Sequence, residues 1–466
     1  MKEKNRSSFK GSLGFVIAAA GSAVGLGNIW RFPYLAAKDN GGFFILCYII
    51  LALTFGFALL TTEVAIGRKT KQSPLTAYGK INGKFKFLGS IATLVPIIIL
   101  PYYCAIGGWV IKYTSVFVTG KGVQAAADDY FTGYISQTTE PAIWMGVFLI
   151  LTALVVIGGV NKGIEKSSRI LMPILLLLII GISVFSLTLK HTDADSTVRT
   201  GLDGLKVYLI PDFASLTVKK VFITIIDALG QLFFSISVAM GIMIAYGSYV
   251  DDKTNLMKSI NQIEIFDTVV ALLAGLMIVP AVFVFMGSEG LSAAGPGLMF
   301  ISLPKVFSQM GTVGHVIGSL FFVMVLFAAV TSSVSIMEAI VSSIMDRFKI
   351  SRKKGTMIVL AYALISGLIV CFGYNLLYFE LKLPNGSTGQ ILDVMDYLSN
   401  NILMPVVALI TCIMIGWVSK PKTIIEEVTK NGERFGRKTI YITMVKFIAP
   451  IMLFILLLQS LNIIRL

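Results

Sequence analysis

Continuous apolar runs of about 20 residues, each able to cross a hydrocarbon layer roughly 30 Å thick, recur along almost the whole chain. By hydropathy and loop charge they fall at 12–37, 41–68, 87–118, 142–160, 167–188, 219–247, 257–286, 313–346, 354–375, 389–417 and 440–461. With 56% hydrophobic and only 14% charged residues, the chain cannot be folded as a water-soluble single core. The runs are continuous rather than alternating, which excludes a β-barrel. In lipid each backbone polar group must find a partner within the protein, so every run is read as a helix. The expected fold is all-α, a polytopic membrane protein of eleven transmembrane helices, here called spans 1 to 11.

The net charge of +14 could suggest nucleic acid, but the basic residues form no single patch or stripe, and no nucleic-acid partner is expected. They sit in alternate loops. Lys2, Lys4, Arg6 and Lys10 precede span 1, and Arg68, Lys69, Lys71, Lys80, Lys84 and Lys86 follow span 2, whereas Lys121 after span 3 stands against Asp128, Asp129 and Glu140. Lys162, Lys166 and Arg169, then Arg347, Lys349, Arg352, Lys353 and Lys354, then the stretch 420–438, continue the pattern. This is the positive-inside signature of a multi-pass protein in the cell inner membrane, with the N-terminus cytoplasmic and, for an odd count, the C-terminus external. Its surrounding partner is the lipid bilayer. Cys47, Cys104, Cys371 and Cys412 all lie inside apolar runs, so neither a disulfide framework nor a cysteine metal site is expected. The first run carries Gly and Asn rather than a plain apolar core, so it reads as a working span and not a cleaved leader.

Two spans break the pattern of a passive helix. Span 1 carries Gly21-Ser22-Ala23-Val24-Gly25-Leu26-Gly27-Asn28, and span 6 carries Ser235-Ile236-Ser237-Val238-Ala239-Met240-Gly241. Each glycine weakens a helix by about 1 kcal/mol. Small residues alone are explained by close helix packing. Here, however, the interruptions fall in the first helix of each of two five-helix sets, 12–188 and 219–417, with 440–461 outside both. Paired broken helices in corresponding positions point to two inverted repeats with a binding site between them at the membrane midplane. Two external loops stand out: 190–218 is polar and irregular, and 288–310 mixes Gly, Pro and apolar residues like a re-entrant cap.

The stretch Gly21 to Pro33, ending in Asn28-Ile29-Trp30-Arg31-Phe32-Pro33, resembles the neurotransmitter:sodium symporter family, in its eleven-helix bacterial branch. The resemblance continues through Glu63-Val64-Ala65-Ile66-Gly67-Arg68, Tyr102-Tyr103, Gly230-Gln231-Leu232-Phe233-Phe234-Ser235 and Thr331-Ser332-Ser333, and so covers nearly the whole chain. It implies a single transporter domain over 1–466 that imports an amino acid with two sodium ions by alternating access. Sodium needs only five or six oxygens, which an interrupted helix supplies. By the family pattern the first ion takes the Ala23 carbonyl, the Asn28 side chain, the carbonyl and hydroxyl of Ser235, the Asp267 side chain and the substrate carboxylate. The second takes the carbonyls of Gly21, Val24 and Ala328 and the hydroxyls of Thr331 and Ser332. The ordinary role of such mid-membrane hydroxyls is back-bonding to the carbonyl one turn earlier.

The same resemblance places the substrate carboxylate on the amides near Gly25 and Gly27 and on the Tyr103 hydroxyl, where the helix dipole favours an anion. The ammonium would meet carbonyls of Ala23 and of the span 6 break near Ser235, with Ser332 beside it. Monoamine carriers have Asp where Gly25 stands, so an amino acid is favoured over an amine. Ile99, Tyr103, Phe234, Ser237, Ala239, Met240, Ser332 and Ile336 would line the side-chain pocket; none is charged, which implies a neutral, mostly apolar side chain. Ala239 stands where carriers of bulky amino acids often have Gly, and its methyl is expected to narrow the pocket. Arg31 and Asp396 match the external gate, with Tyr103 and Phe234 as its aromatic lid, and Arg6 and Asp346 match the internal one. Phe9 replaces the usual Trp of the inner plug. Glu63 is structural, accepting hydrogen bonds from the unwound span 6 backbone, while Glu338 joins a vestibule network with Tyr249 and Asp227 is unassigned.

Asp267 stands where animal members have Asn and bind chloride nearby, so no chloride is expected to be required. Once sodium leaves, this carboxylate would take up a proton, giving proton counter-transport. A proton-coupled carrier of the same inverted-repeat architecture is the main alternative, disfavoured by the Thr331-Ser332 hydroxyls. A channel or substrate-sensing receptor would not need paired gates. An enzyme is not expected, because His191 and His315 lie in or near loops with no converging nucleophile.

Overall fold

The computed structural model describes residues 8–193 and 196–464. Among these, nine helices are long and apolar enough to cross a membrane, or ten when Gly11–Ala23 and Gly27–Lys38, which meet at a 52° bend, count as the single broken span 1. The others are Gly42–Thr70, Gly83–Val118, Glu140–Ile157 and Val160–Leu187 (spans 2 to 5), then Leu256–Gly290, Thr312–Phe348, Arg352–Phe372, Ile391–Val418 and Lys438–Ser460 (spans 7 to 11). The expected span 6 is two helices, Val218–Ser235 and Ile242–Gly247, separated by an unwound stretch. Strands among the described residues are confined to two short antiparallel hairpins, Lys190–Thr192 with Val198–Thr200 and Leu381–Lys382 with Thr388–Gly389.

Both of the loops expected to be external are more ordered than their polarity suggests. The segment expected to be irregular, 190–218, holds the first hairpin and a helix, Gly201–Leu209, capped by the Thr200 hydroxyl, which accepts from the Asp203 amide. Gly204 lets this helix lie on span 7, since a Cβ there would sit 2.5 Å from Pro280 Cα. The re-entrant segment forms Leu298–Ser302 and Leu303–Gln309, with Met299 and Phe300 fully buried.

The two breaks have local causes. Val24 leaves helical geometry at ψ 90°, and the chain re-enters a helix at Gly27 with Pro33 fixed in the first turn of Phe32–Lys38. In span 6, Ser237, Ala239 and Gly241 all take positive φ, at 54°, 61° and 73°. Two of the three are not glycine, a strained arrangement that costs about 1–3 kcal/mol per residue and needs outside support. Glu63 supplies some of it: its Oε1 accepts from the Ala239 amide at 2.6 Å.

Spans 2 and 6 cross on bare backbone. A Cβ at Gly67 would lie 2.1 Å from the Ile244 carbonyl oxygen, and one at Gly247 would lie 2.4 Å from that of Val64. Gly67→Ala is therefore expected to destabilise the protein by about 1–3 kcal/mol, read as a lower midpoint of thermal unfolding in detergent. Gly181→Ala, where nothing lies within 4 Å of the new methyl, is expected to leave the midpoint unchanged or raise it.

Candidate functional site

The broken spans face each other, and three buried side chains join them to span 7. Asn28 Nδ2 donates to Ser235 Oγ and to Asp267 Oδ1, both at 2.9 Å, and the Ser235 hydroxyl donates to Asp267 Oδ1 at 2.8 Å. The Tyr48 hydroxyl of span 2 donates to Asp267 Oδ2 at 3.3 Å. The carboxylate thus has neutral donors on both oxygens and is wholly buried. Asn28 Oδ1 lies 3.3 Å from the Gly25 amide, with Ala23 on the same break. The expected first sodium set is brought together. Tyr48 escaped sequence reasoning, although a phenol inside the apolar run of span 2 must find a partner somewhere.

The second set also converges. The Ser332 hydroxyl donates to the carbonyl oxygens of Ser22 at 3.1 Å and Val24 at 3.4 Å, linking span 8 to the unwound part of span 1. Thr331 Oγ1 back-bonds to Phe327 and Ala328 at 3.0 and 3.1 Å, the ordinary use of such a hydroxyl. A Cβ on Gly21 would lie 3.4 Å from Thr331 Cβ, so Gly21 packs directly against this turn. Among the described residues no group of three His, Cys, Asp or Glu side chains could hold a metal ion. What converges instead is carbonyl, hydroxyl and amide oxygen with one carboxylate, a donor set for hard cations.

Between the two sets lies a cavity holding about 30 Å³ of water-sized space. It is lined by Ala23, Gly25, Gly27, Ile99, Tyr103, Phe234, Ser235, Ser237, Met240, Ser332 and Ile336 as expected, and by Ser22, Leu26 and Ile242, which sequence reasoning omitted. Ala239, expected on the pocket wall, is not among the residues lining this cavity; it is fully buried, and its amide donates to Glu63 Oε1 at 2.6 Å. The two glycines are notches: a Cβ at Gly25 would lie 2.9 Å from Ser332 Oγ, and one at Gly27 would lie 2.5 Å from the Phe234 ring. Among the described residues Tyr103 Oη is buried without a hydrogen bond of regular geometry, its nearest polar neighbours being the Ser332 hydroxyl and the Leu26 backbone, and it lies 3.6 Å from where a Gly25 Cβ would stand. A buried donor so placed suits an anionic ligand atom at the start of the second half of span 1.

Above Phe234 opens a vestibule of about 450 Å³ lined by Arg31, Asp227 and Asn400. The expected Arg31–Asp396 ion pair is not formed: Asp396 Oδ1 accepts from Asn400 Nδ2 at 2.6 Å, and Asn400 also reaches Tyr102 Oη at 3.2 Å. Arg31 acts on Asp396 only at longer range. Asp227 pairs with Lys38 at 2.8 Å. At the opposite end Arg6 lies outside the described residues, and Asp346 accepts from the Ser73 amide at 2.7 Å. Phe9 packs against Phe15, Tyr246 and Tyr249, with its amide on the Tyr249 carbonyl at 3.1 Å. Glu338 accepts from the Tyr249 hydroxyl at 2.6 Å and from both Arg352 nitrogens at 2.5 and 3.0 Å. Arg352 reads as a loop charge in the sequence; the fully buried Glu338 is what requires it.

A family model described as the sodium:neurotransmitter symporter family matches residues 6–132 and 130–465. The chain belongs to this family. It is 35% identical over 99% of its length, and 99% of the relative's, to the uncharacterized sodium-dependent transporter YhdH of Bacillus subtilis. An uncharacterized sodium-dependent transporter of Methanocaldococcus jannaschii is 32% identical over 93% of this chain and 86% of its own. Among solved structures, MhsT in complex with L-phenylalanine superposes with a TM-score of 0.84 at 31% identity, covering 98% of this chain and 100% of the other. The symporter is thus a multi-pass, sodium-dependent membrane transporter and not an enzyme.

Proposed function

We propose that this symporter imports a neutral, mostly apolar amino acid together with two sodium ions by alternating access, without chloride and with a proton returning on Asp267. The carrying observation is the buried Tyr103 hydroxyl, left without a hydrogen bond of regular geometry among the described residues, beside Gly25 and next to the Asn28–Ser235–Asp267 cluster. An α-carboxylate there accepts from the phenol and the freed amides and completes the first sodium shell. Gly25 supplies no carboxylate for an amine substrate to pair with, and a Cβ there would stand 2.9 Å from Ser332 Oγ. The rest of the wall, with Ile99, Phe234, Met240 and Ile336, offers a side chain nothing charged to pair with. Met240 has three rotatable bonds with which to adjust the pocket, and MhsT, solved with L-phenylalanine, supports side chains up to aromatic size. The loops rich in Lys and Arg are assigned to the cytoplasm, which puts the N-terminus inside and the C-terminus outside. The two inverted repeats, 12–188 and 219–417, carry the broken spans that rock about this site.

The test is competition against a bound labelled aromatic amino acid in sodium medium. Tryptamine, which lacks the carboxylate, is expected to compete at least about a hundredfold more weakly than tryptophan, because it forfeits charge-assisted hydrogen bonds and a sodium ligand. Lysine is expected to fail because its second charge would be buried unpaired. Tryptamine matching tryptophan, or lysine matching alanine, would show that the pocket has been misread.

A further inference from the structure

The cytoplasmic half of span 1 is gripped by a carboxylate that belongs to neither gate. Helix Gly11–Ala23 has no acidic residue in its first turn and no side-chain cap of its own, leaving its first amides in need of acceptors. Span 5 supplies one. Glu165 is 2% exposed, and its Oε2 accepts from the Lys10 amide at 2.9 Å. Its Oε1 pairs with Arg169 Nη2 at 2.7 Å, and the same nitrogen reaches the Lys10 carbonyl oxygen at 3.5 Å. The backbone of Lys10 is therefore held on both its amide and its carbonyl side.

The fit continues along the helix. Gly14 makes room for the carboxylate, since a Cβ there would lie 2.5 Å from the Glu165 carboxyl carbon. Two turns further on, Gly21 faces Met172, with 3.2 Å between a Cβ and the Met172 sulfur. Glu165, Arg169 and Met172 follow helical spacing on one face of span 5, as do Gly14 and Gly21 on span 1. One strip of span 5 thus runs from the start of span 1 to Gly21, a member of the expected second sodium set. Among the described residues, two other polar ties of this end of span 1, the Phe9 amide on the Tyr249 carbonyl and Ser12 Oγ against Ser259 Oγ at 2.9 Å, are neutral and individually weaker.

We propose that Glu165, oriented by Arg169, is a positioning residue of the transport cycle that latches the N-terminal half of span 1 shut. Sodium at the second set holds the far end of the same half helix. Opening toward the cytoplasm has to break the Glu165–Lys10 contact and let water reach both charged groups. The proposal rests on the alternating-access reading, and it adds a third anchor to the expected gates.

Hydrogen exchange followed by mass spectrometry, on the full-length protein in nanodiscs in sodium medium, tests it. In Glu165→Ala the amides of 8–23 are expected to exchange on the order of tenfold faster than wild type, the loss of a charge-assisted hydrogen bond, with spans 3 and 8 unchanged. Glu165→Gln keeps an acceptor for Lys10 and is expected to show a smaller increase. Arg169→Ala changes a side chain that is 44% exposed, so it is expected to fold normally and still loosen 8–23. Wild-type exchange of 8–23 in both Glu165→Ala and Arg169→Ala would overturn the latch, and so would equal loosening of spans 3 and 8. Wild-type protein in sodium against choline judges the symporter reading separately: a segment indifferent to sodium sinks that reading, while the variants still decide the latch.

Discussion

Proteoliposomes containing the wild-type symporter are expected to keep accumulating substrate when gluconate replaces chloride, and those containing Asp267→Asn are expected to stop. The Asp267 carboxylate is wholly buried and, among the described residues, is held by Asn28, Ser235 and Tyr48, all neutral donors, so its charge is available to a cation in the first sodium set. A negative charge about 4 Å from a sodium ion contributes roughly 4 kcal/mol at an effective dielectric of 20. That corresponds to about a thousandfold in sodium affinity, enough to take uptake below detection when it is lost. In the Asn variant the Tyr48 and Ser235 hydroxyls are released from the carboxylate, and chloride captured there would supply the missing charge, so added chloride is expected to restore part of the uptake. Proton return follows from the same group. Wild-type uptake should make the vesicle interior more alkaline, as each returning carrier takes a proton out, and Asp267→Asn should abolish this pH change in chloride medium. Wild-type uptake that ceases without chloride refutes the account, as does an Asn variant fully active in gluconate.

Substrate binding in choline or potassium medium is expected to fall by at least about a hundredfold relative to sodium, and Asn28→Ala to produce a comparable loss in sodium itself. The Asn28 amide serves three purposes at once. It donates to Ser235 and to Asp267, and its oxygen stands beside the Gly25 amide where the substrate carboxylate and the ion are proposed to meet. Alanine would remove an ion ligand and leave buried polar groups short of a partner, each costing about 1–3 kcal/mol. Thr331→Ala is expected to cost less, because its hydroxyl has the Phe327 and Ala328 carbonyls as ordinary partners and can be lost without stranding a charge. Equilibrium binding of a labelled amino acid, titrated with sodium, reads all three. Undiminished binding without sodium would exclude sodium coupling through this site.

Lipid imposes one-dimensional rules, and what those rules govern was legible in the residues alone. Continuous apolar length marks a crossing, and Gly, Ser and Asn within two of the runs mark the two broken spans. The candidate oxygens came with the breaks, because Asn28, Ser235, Thr331 and Ser332 belong to the same short motifs that interrupt or flank them. Tertiary structure decided how residues far apart in the chain share charge and space. Tyr48 reaches Asp267 across 219 positions and Glu165 reaches Lys10 across 155; Arg352 comes to Glu338 from the start of the next span. No local period records such meetings, since each is selected by a buried group that needs a partner. Ala239 shows the same limit at short range: its alignment suggested a pocket wall, while in the fold it is buried with its amide on Glu63 and is not among the residues lining the cavity. The Arg31–Asp396 pair shows it in the gate, where Asn400, one turn from Asp396 on its own span, takes the carboxylate instead. Sequence set which groups are buried in lipid; packing set which of them meet, because a desolvated polar group takes whatever donor the fold brings within reach.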